Sequence, residues 1–177
     1  MASLKATVFS LAPYHLMAWG TLLGIELYQS LVMTKLCYQH LPKPQFTQLQ
    51  KHVFPAYFSL QTVLSVMVIT TVPQNPWLQI FKPASRWTIL APLLLNLTMA
   101  SLNLLLYGPR TSMAMLARVR QTTIDGRTSN EGVVSEAMKT IQRQFSRNHA
   151  MSIHLNAIAM LATVWYGFGF ASRITIA

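Results

Sequence analysis

LAPYHLMAWGTLLGIELYQSLVMTKL, residues 11–36, is a predominantly apolar run whose one acidic side chain is Glu26. As an α-helix rising 1.5 Å per residue it is about 39 Å long, enough to cross a hydrocarbon core of ~30 Å. No other acidic residue precedes Asp125. A carboxylate near mid-bilayer costs roughly 2.5–3.5 kcal/mol on insertion scales unless it finds a partner or water. Glu26 is therefore either a functional group or a packing anchor.

Three further stretches, Val53–Val72, Trp87–Tyr107 and Ala150–Ala171, are long and apolar enough to span in the same way. The chain is 52% hydrophobic and only 10% charged, against about 25% charged in soluble domains. A membrane span must satisfy its backbone groups internally, which selects helices over isolated strands. The expected fold is all-α, an integral membrane four-helix bundle. It forms a single transmembrane domain over residues 1–177, with an amphipathic cytoplasmic helical loop between the third and fourth spans.

The net charge of +10 does not point to nucleic acid. The basic residues sit in short loops beside the spans, and no Lys/Arg-rich run is interleaved with aromatics. With four spans, one side carries Lys5, Lys82, Arg86 and Arg173. The other carries Lys35, Lys43, Lys51, Arg110, Arg118, Arg120, Arg127, Lys139, Arg143 and Arg147. The positive-inside bias puts this second, richer side in the cytoplasm and both termini outside or in a lumen. An endoplasmic-reticulum, endomembrane or cell-surface location follows, with a mitochondrial membrane as the alternative. Residues before the first span lack a clear small-residue cleavage site, so no removable signal peptide is expected. Asn96-Leu97-Thr98 matches a glycosylation sequon but lies within a span.

Between the second and third spans the chain is proline-broken from Pro73 to Pro83. Beyond Gly108, Pro109 can open a helix at Arg110, and Asp125-Gly126 marks a turn. From Val133, Val134, Met138, Ile141 and Phe145 recur at helical spacing opposite Ser135, Lys139, Gln142 and Arg143. This predicts an amphipathic helix at the interface or continuing into the fourth span. Pro44 can open a helix that reaches the membrane at Val53 and bends at Pro55.

Counting inward from Leu36 puts Glu26 about 15 Å deep, near mid-bilayer. Gln61 of the second span reaches a similar depth from the opposite direction. Asn96 and Asn103 of the third span and Asn156 of the fourth fall within roughly two turns of it. His15, Trp19, Leu22, Glu26, Gln29 and Met33 form one stripe of the first span. The expected intramembrane polar centre is thus Glu26, Gln29, Gln61, Asn96, Asn103 and Asn156. It is either a hydrated or ligand-accepting site or an interhelical network, whose bonds contribute about 0.6–2 kcal/mol each. A protonated Glu26 hydrogen-bonded to Gln61 satisfies both readings.

Gly20 and Gly24 form a GxxxG motif that permits close packing against another span or a second copy of the chain. Arg110, Arg147 and His149 flank the third and fourth spans at the cytoplasmic face. They can bind anionic lipid headgroups or an anionic solute, or simply anchor the spans at the interface. The single cysteine, Cys37, excludes an internal disulfide framework. The five histidines contain no H-x3-H pair, so neither a metal nor a cofactor is expected. Partners are the lipid bilayer and a homo-oligomer or another membrane protein, with no nucleic acid.

Four stretches, taken in order, resemble the transmembrane protein 205 family. They are His15-Leu16 with Trp19-Gly20; Leu41-Pro42-Lys43 with Phe46 and Gln50, leading into Val53-Phe54-Pro55-Ala56-Tyr57-Phe58; Pro109-Arg110-Thr111 with Met113 and Met115; and Phe145-Ser146-Arg147-Asn148-His149 with Ser152 and Asn156. The resemblance runs from about Tyr14 to Gly169. It implies a four-span protein of endomembranes and the cell surface, linked in animals to platinum-drug tolerance, and supplies no catalytic set. Gly108 stands where the family often has an acidic residue, and Glu26 where some relatives carry a neutral polar one.

Three functions are compatible with these features. The first is a non-enzymatic factor aiding trafficking, assembly or export through lipid or partner contacts. The second is an oligomeric transporter or channel subunit working through Glu26. The third is a small four-span membrane oxygenase of secondary metabolism, with His149 and Glu26 as acid–base groups.

Overall fold

The computed structural model describes residues 10–73, 86–128 and 135–173, without the side chains of residues 86, 127 and 128. Lys5, Lys82, Val133, Val134 and the proline-broken connection beyond Pro73 lie outside the described residues, as does the segment on which the signal-peptide expectation rests. Among the described residues four helices are long and apolar enough to cross a membrane: α1 (Ala12–His40), α2 (Lys43–Thr70), α3 (Trp87–Gly126) and α4 (Glu136–Ala171). The protein is an all-helical membrane bundle, and among the described residues it contains no strand. Its outward faces carry the large apolar side chains Met17, Leu31, Val63, Leu94, Leu105, Leu161 and Phe168, all exposed. The interior is where polar side chains are hidden.

Proline opens two of these helices where its missing N–H is harmless. Pro13 stands in the first turn of α1 and Pro44 in the first turn of α2. Pro55 lies inside α2, which nevertheless continues from Lys43 to Thr70. The α-helical conformation resumes at Gly108 after the third span, so Pro109 extends α3 rather than starting a separate helix. The Asp125-Gly126 turn expected from sequence is not formed, and the helix runs through it to Thr128. One local and one non-local bond hold it there: within the helix Gln121 Nε2 donates to Asp125 Oδ1 at 2.8 Å, and from beyond it Ser135 Oγ donates to Asp125 Oδ2 at 2.9 Å. Ser135 also caps α4 by accepting from the Met138 N–H. The amphipathic segment after it is continuous with the fourth span.

Among the described residues three π-helical turns interrupt the regular helices, at Tyr28–Met33 in α1, at Arg86–Leu90 leading into α3 and at Asn103–Tyr107 within α3. Such turns concentrate at functional or tightly constrained places. In α1 the Thr34 hydroxyl donates to the Gln29 backbone oxygen at 2.8 Å.

An apolar cluster of Ala18, Leu22, Leu64, Val68, Val72, Ile89, Leu93 and Tyr166 fills the half of the bundle away from the α1–α2 connection. Close helix approach occurs at glycines of α4. A Cβ at Gly167 would fall 2.5 Å from Trp19 Cζ2, and one at Gly169 would fall 2.7 Å from the Thr88 backbone oxygen. Gly20 and Gly24 are different. Both are exposed, and nothing lies within 4 Å of where a Cβ would stand. The GxxxG face therefore packs against no span of its own bundle and turns outward.

Candidate functional site

All four helices meet at one buried tier. Glu26 of α1 and Gln61 of α2 have no exposed surface, and Asn96 of α3 and Thr163 of α4 have almost none. Gln61 Nε2 and Asn96 Nδ2 each donate to Glu26 Oε1 at 2.8 Å. The Asn96 amide also reaches the Ala159 backbone oxygen at 3.0 Å and Thr163 Oγ1 at 2.6 Å. On its other side, Asn96 Oδ1 accepts from Ser65, whose hydroxyl also lies against the Gln61 backbone oxygen. Asn96 is thus the hub and Glu26 the shared acceptor. The acidic group is held by neutral amides rather than by a cation. Glu26 Oε2 and Gln61 Oε1 are buried without a hydrogen-bond partner among the described residues.

The remaining polar residues form separate tiers. One level toward the α1–α2 connection, Tyr57 donates its hydroxyl to Asn156 Oδ1 at 2.7 Å, and Asn156 Nδ2 donates to Ser30 Oγ at 2.8 Å. Asn103 Nδ2 donates to the Ser152 backbone oxygen at 3.0 Å, tying α3 to α4. Gln29 does not join Glu26. Three residues along a helix is about 60° short of a full turn, which turns Gln29 toward α2, and its amide donates to Thr34 Oγ1 of its own helix at 3.3 Å.

At the opposite end lies a tier that sequence reasoning did not single out. His15 is fully buried between Thr71 Oγ1, 3.1 Å from Nδ1, and the Tyr166 hydroxyl against Nε2. Thr71 donates to the Met67 backbone oxygen, so it accepts from Nδ1–H. Tyr166 then donates to Nε2. Phe170 packs edge-on to His15 at 5.0 Å between ring centroids. The signal for this tier was His15 itself, eleven residues before Glu26 on the same stripe. Spacing alone put Ser65 on the face of Gln61 and Thr163 on that of Asn156, whereas Ser30 carried no comparable signal, because hydroxyls in membrane helices usually bond their own backbone.

Cationic groups that flank the third and fourth spans engage neighbouring rings. Arg110 and Arg147 are exposed. Arg110 lies over the Tyr107 ring at 5.9 Å, while His149 stacks on Phe145 at 5.2 Å, and Arg118 covers that same Phe145 ring. No hydrogen bond among the described residues joins Arg110, Arg147 and His149 into one cradle. Nor do three His, Cys, Asp or Glu side chains among the described residues gather in a metal-holding group.

One groove of about 500 Å³ opens between α1 and α2. Gly24, Tyr28 and Gln29 line one wall, and Ala56, Tyr57 and Leu60 the other. Glu26 does not line it.

A profile for a domain of unknown function, DUF4149, matches residues 17–120. The chain is also similar to Xanthocillin biosynthesis cluster protein D of Aspergillus fumigatus, with 41% identity over 174 residues covering 98% of this chain and 97% of that protein. No solved structure matches the chain.

Proposed function

The chain belongs to the DUF4149 family, and from that premise we propose that it is a non-enzymatic membrane factor. It assists the export or trafficking of a small molecule made by a biosynthetic gene cluster, through lipid or partner contacts. The cluster assignment of the fungal relative supports the small-molecule side of this reading. The enclosure of Glu26 carries the non-enzymatic side. General acid–base chemistry needs a group within hydrogen-bond reach of a substrate. Glu26 is instead fully buried, with Oε1 occupied by Gln61 and Asn96, and the groove between α1 and α2 passes it by. Within the wider family we read the chain as similar to the transmembrane protein 205 proteins, on the motifs around Trp19, Pro55, Arg110 and His149.

The test is metabolite profiling of cells and medium after deletion of the gene. The expected outcome is an unchanged set of products with a larger share retained in the cells. Loss of a product with build-up of its precursor would instead mark an enzyme, the oxygenase reading.

A second reading, an oligomeric transporter or channel subunit, is favoured by one observation: the buried, unpartnered Glu26 Oε2 and Gln61 Oε1. It requires Glu26→Gln to abolish pH-dependent flux in reconstituted vesicles. Unchanged flux removes it.

A further inference from the structure

Gln29 is 8% exposed, yet its side-chain oxygen accepts no hydrogen bond from the described residues. The orientation of its amide follows from proton counting. The Thr34 hydroxyl gives its one hydrogen to the Gln29 backbone oxygen at 2.8 Å, so toward the side chain it can only accept. Gln29 Nε2 therefore faces Thr34, and Oε1 is left as a free acceptor on a residue lining the groove between α1 and α2. Of the two tyrosines on the lining, Tyr57 is already committed, since its hydroxyl donates to Asn156, while Tyr28 stands at the exposed mouth. No lining side chain carries a charge, and Tyr28 and Tyr57 supply aromatic walls. The groove opens to the lipid-facing side, where Tyr28 is 57% and Leu60 47% exposed. Gly24 keeps it open, because no atom lies within 4 Å of the place a side chain would start.

We propose that this groove binds a neutral, lipid-soluble aromatic molecule whose O–H or N–H donates to Gln29 Oε1. The ligand enters laterally from the bilayer. A charged ligand has no counter-charge to meet, and a molecule without a donor covers the Gln29 carbonyl and leaves it unpaired, a loss typical of sites built to hydrogen-bond their ligand. An acyl chain fits the apolar walls but does nothing for Gln29. This assignment rests on the small-molecule side of the function proposed above and names the class of molecule handled.

The experiment uses the full-length protein purified in a maltoside detergent, with 2-naphthol as probe and 2-methoxynaphthalene as its donor-less twin, followed by probe fluorescence. Saturable binding of 2-naphthol with one site per chain is expected. Gly24→Leu, which fills the groove from an open position, should weaken it about tenfold or more, roughly 1.4 kcal/mol. Ala56→Leu blocks the opposite wall and serves if the first variant fails to fold. Gln29→Leu should erase the preference for 2-naphthol over its methyl ether, with the ether bound at least as tightly as by the unmodified protein. Uptake that matches protein-free micelles, equal binding of the two probes to the unmodified protein, or insensitivity to both groove-filling changes overturns the site. Naphthol binding with no change in cellular retention on deletion overturns the export reading alone; retention without naphthol binding overturns the groove alone.

Discussion

Gln61 Nε2 lies 2.8 Å from Glu26 Oε1, so the acidic group of α1 is bound to α2 by a neutral amide at the level where α3 and α4 also arrive. Two amide donors converge on that one oxygen. Their dependence on it makes Glu26 an anchor whose removal can be separated from its neutralisation.

Glu26→Gln keeps an acceptor oxygen of the same reach, whereas Glu26→Leu leaves the buried Gln61 amide without one, while Asn96 keeps the Ala159 oxygen and Thr163 Oγ1. We expect Glu26→Gln to unfold within about 1 kcal/mol of the unmodified protein, and Glu26→Leu to lose about 1–3 kcal/mol, the cost of an unsatisfied buried donor. Thermal unfolding in detergent measures both. Equal stability of the leucine variant would remove the anchoring role.

Asn96 touches Glu26, Ser65, Thr163 and the Ala159 backbone oxygen, while the Asn103 side chain makes one bond, to the Ser152 oxygen. Asn96→Leu should therefore destabilise more than Asn103→Leu, by roughly 2–3 kcal/mol against about 1. The reverse order in the same unfolding assay would mean that Asn96 is not the hub.

Gly167→Ala places a methyl group against the Trp19 ring and strains the bond from Trp19 Nε1 to the Thr163 oxygen, 3.3 Å long. A loss of about 1–3 kcal/mol is expected for such overpacking. Gly20→Ala and Gly24→Ala meet open space and should cost nothing within the bundle. Cross-linking in membranes supplies the second readout: if these two substitutions break up a cross-linked dimer, the GxxxG face is a contact between copies.

Cys37 is the single cysteine of the chain and lies in α1 on the side of the basic loops. A membrane-impermeant maleimide should label it in intact cells only after permeabilisation. Labelling without permeabilisation would invert the topology. Ser135→Cys in a Cys37→Ser background repeats the test from the α3–α4 connection.

Most of the fold was legible before any coordinates. The apolar run around Glu26 and the charge contrast between its flanking loops are properties of a stretch of chain, and the bilayer reads them directly. The π-turns were not legible, because they are rare interruptions of an α-helix that carry no apolar spacing of their own. Asp125-Gly126 shows the same limit at a connection, where bonds from Gln121 and Ser135 hold helical a dipeptide that favours a turn.

In the polar centre, the sequence by itself determined that Glu26, Gln61 and Asn96 share one depth, since depth depends only on residue count and rise. Which of them touch was decided by the tertiary structure. Gln29 sits on the same stripe as Glu26, yet a rotation of about 60° sends it to the groove between α1 and α2. Gly20 and Gly24 form a packing motif, yet the close contacts fall at Gly167 and Gly169. His15 gains its role from Thr71 and Tyr166, which come from two other helices. Hydrophobic length and charge bias act on a segment alone, whereas a hydrogen bond needs two side chains to arrive at one place in one orientation, and only the packed bundle specifies that.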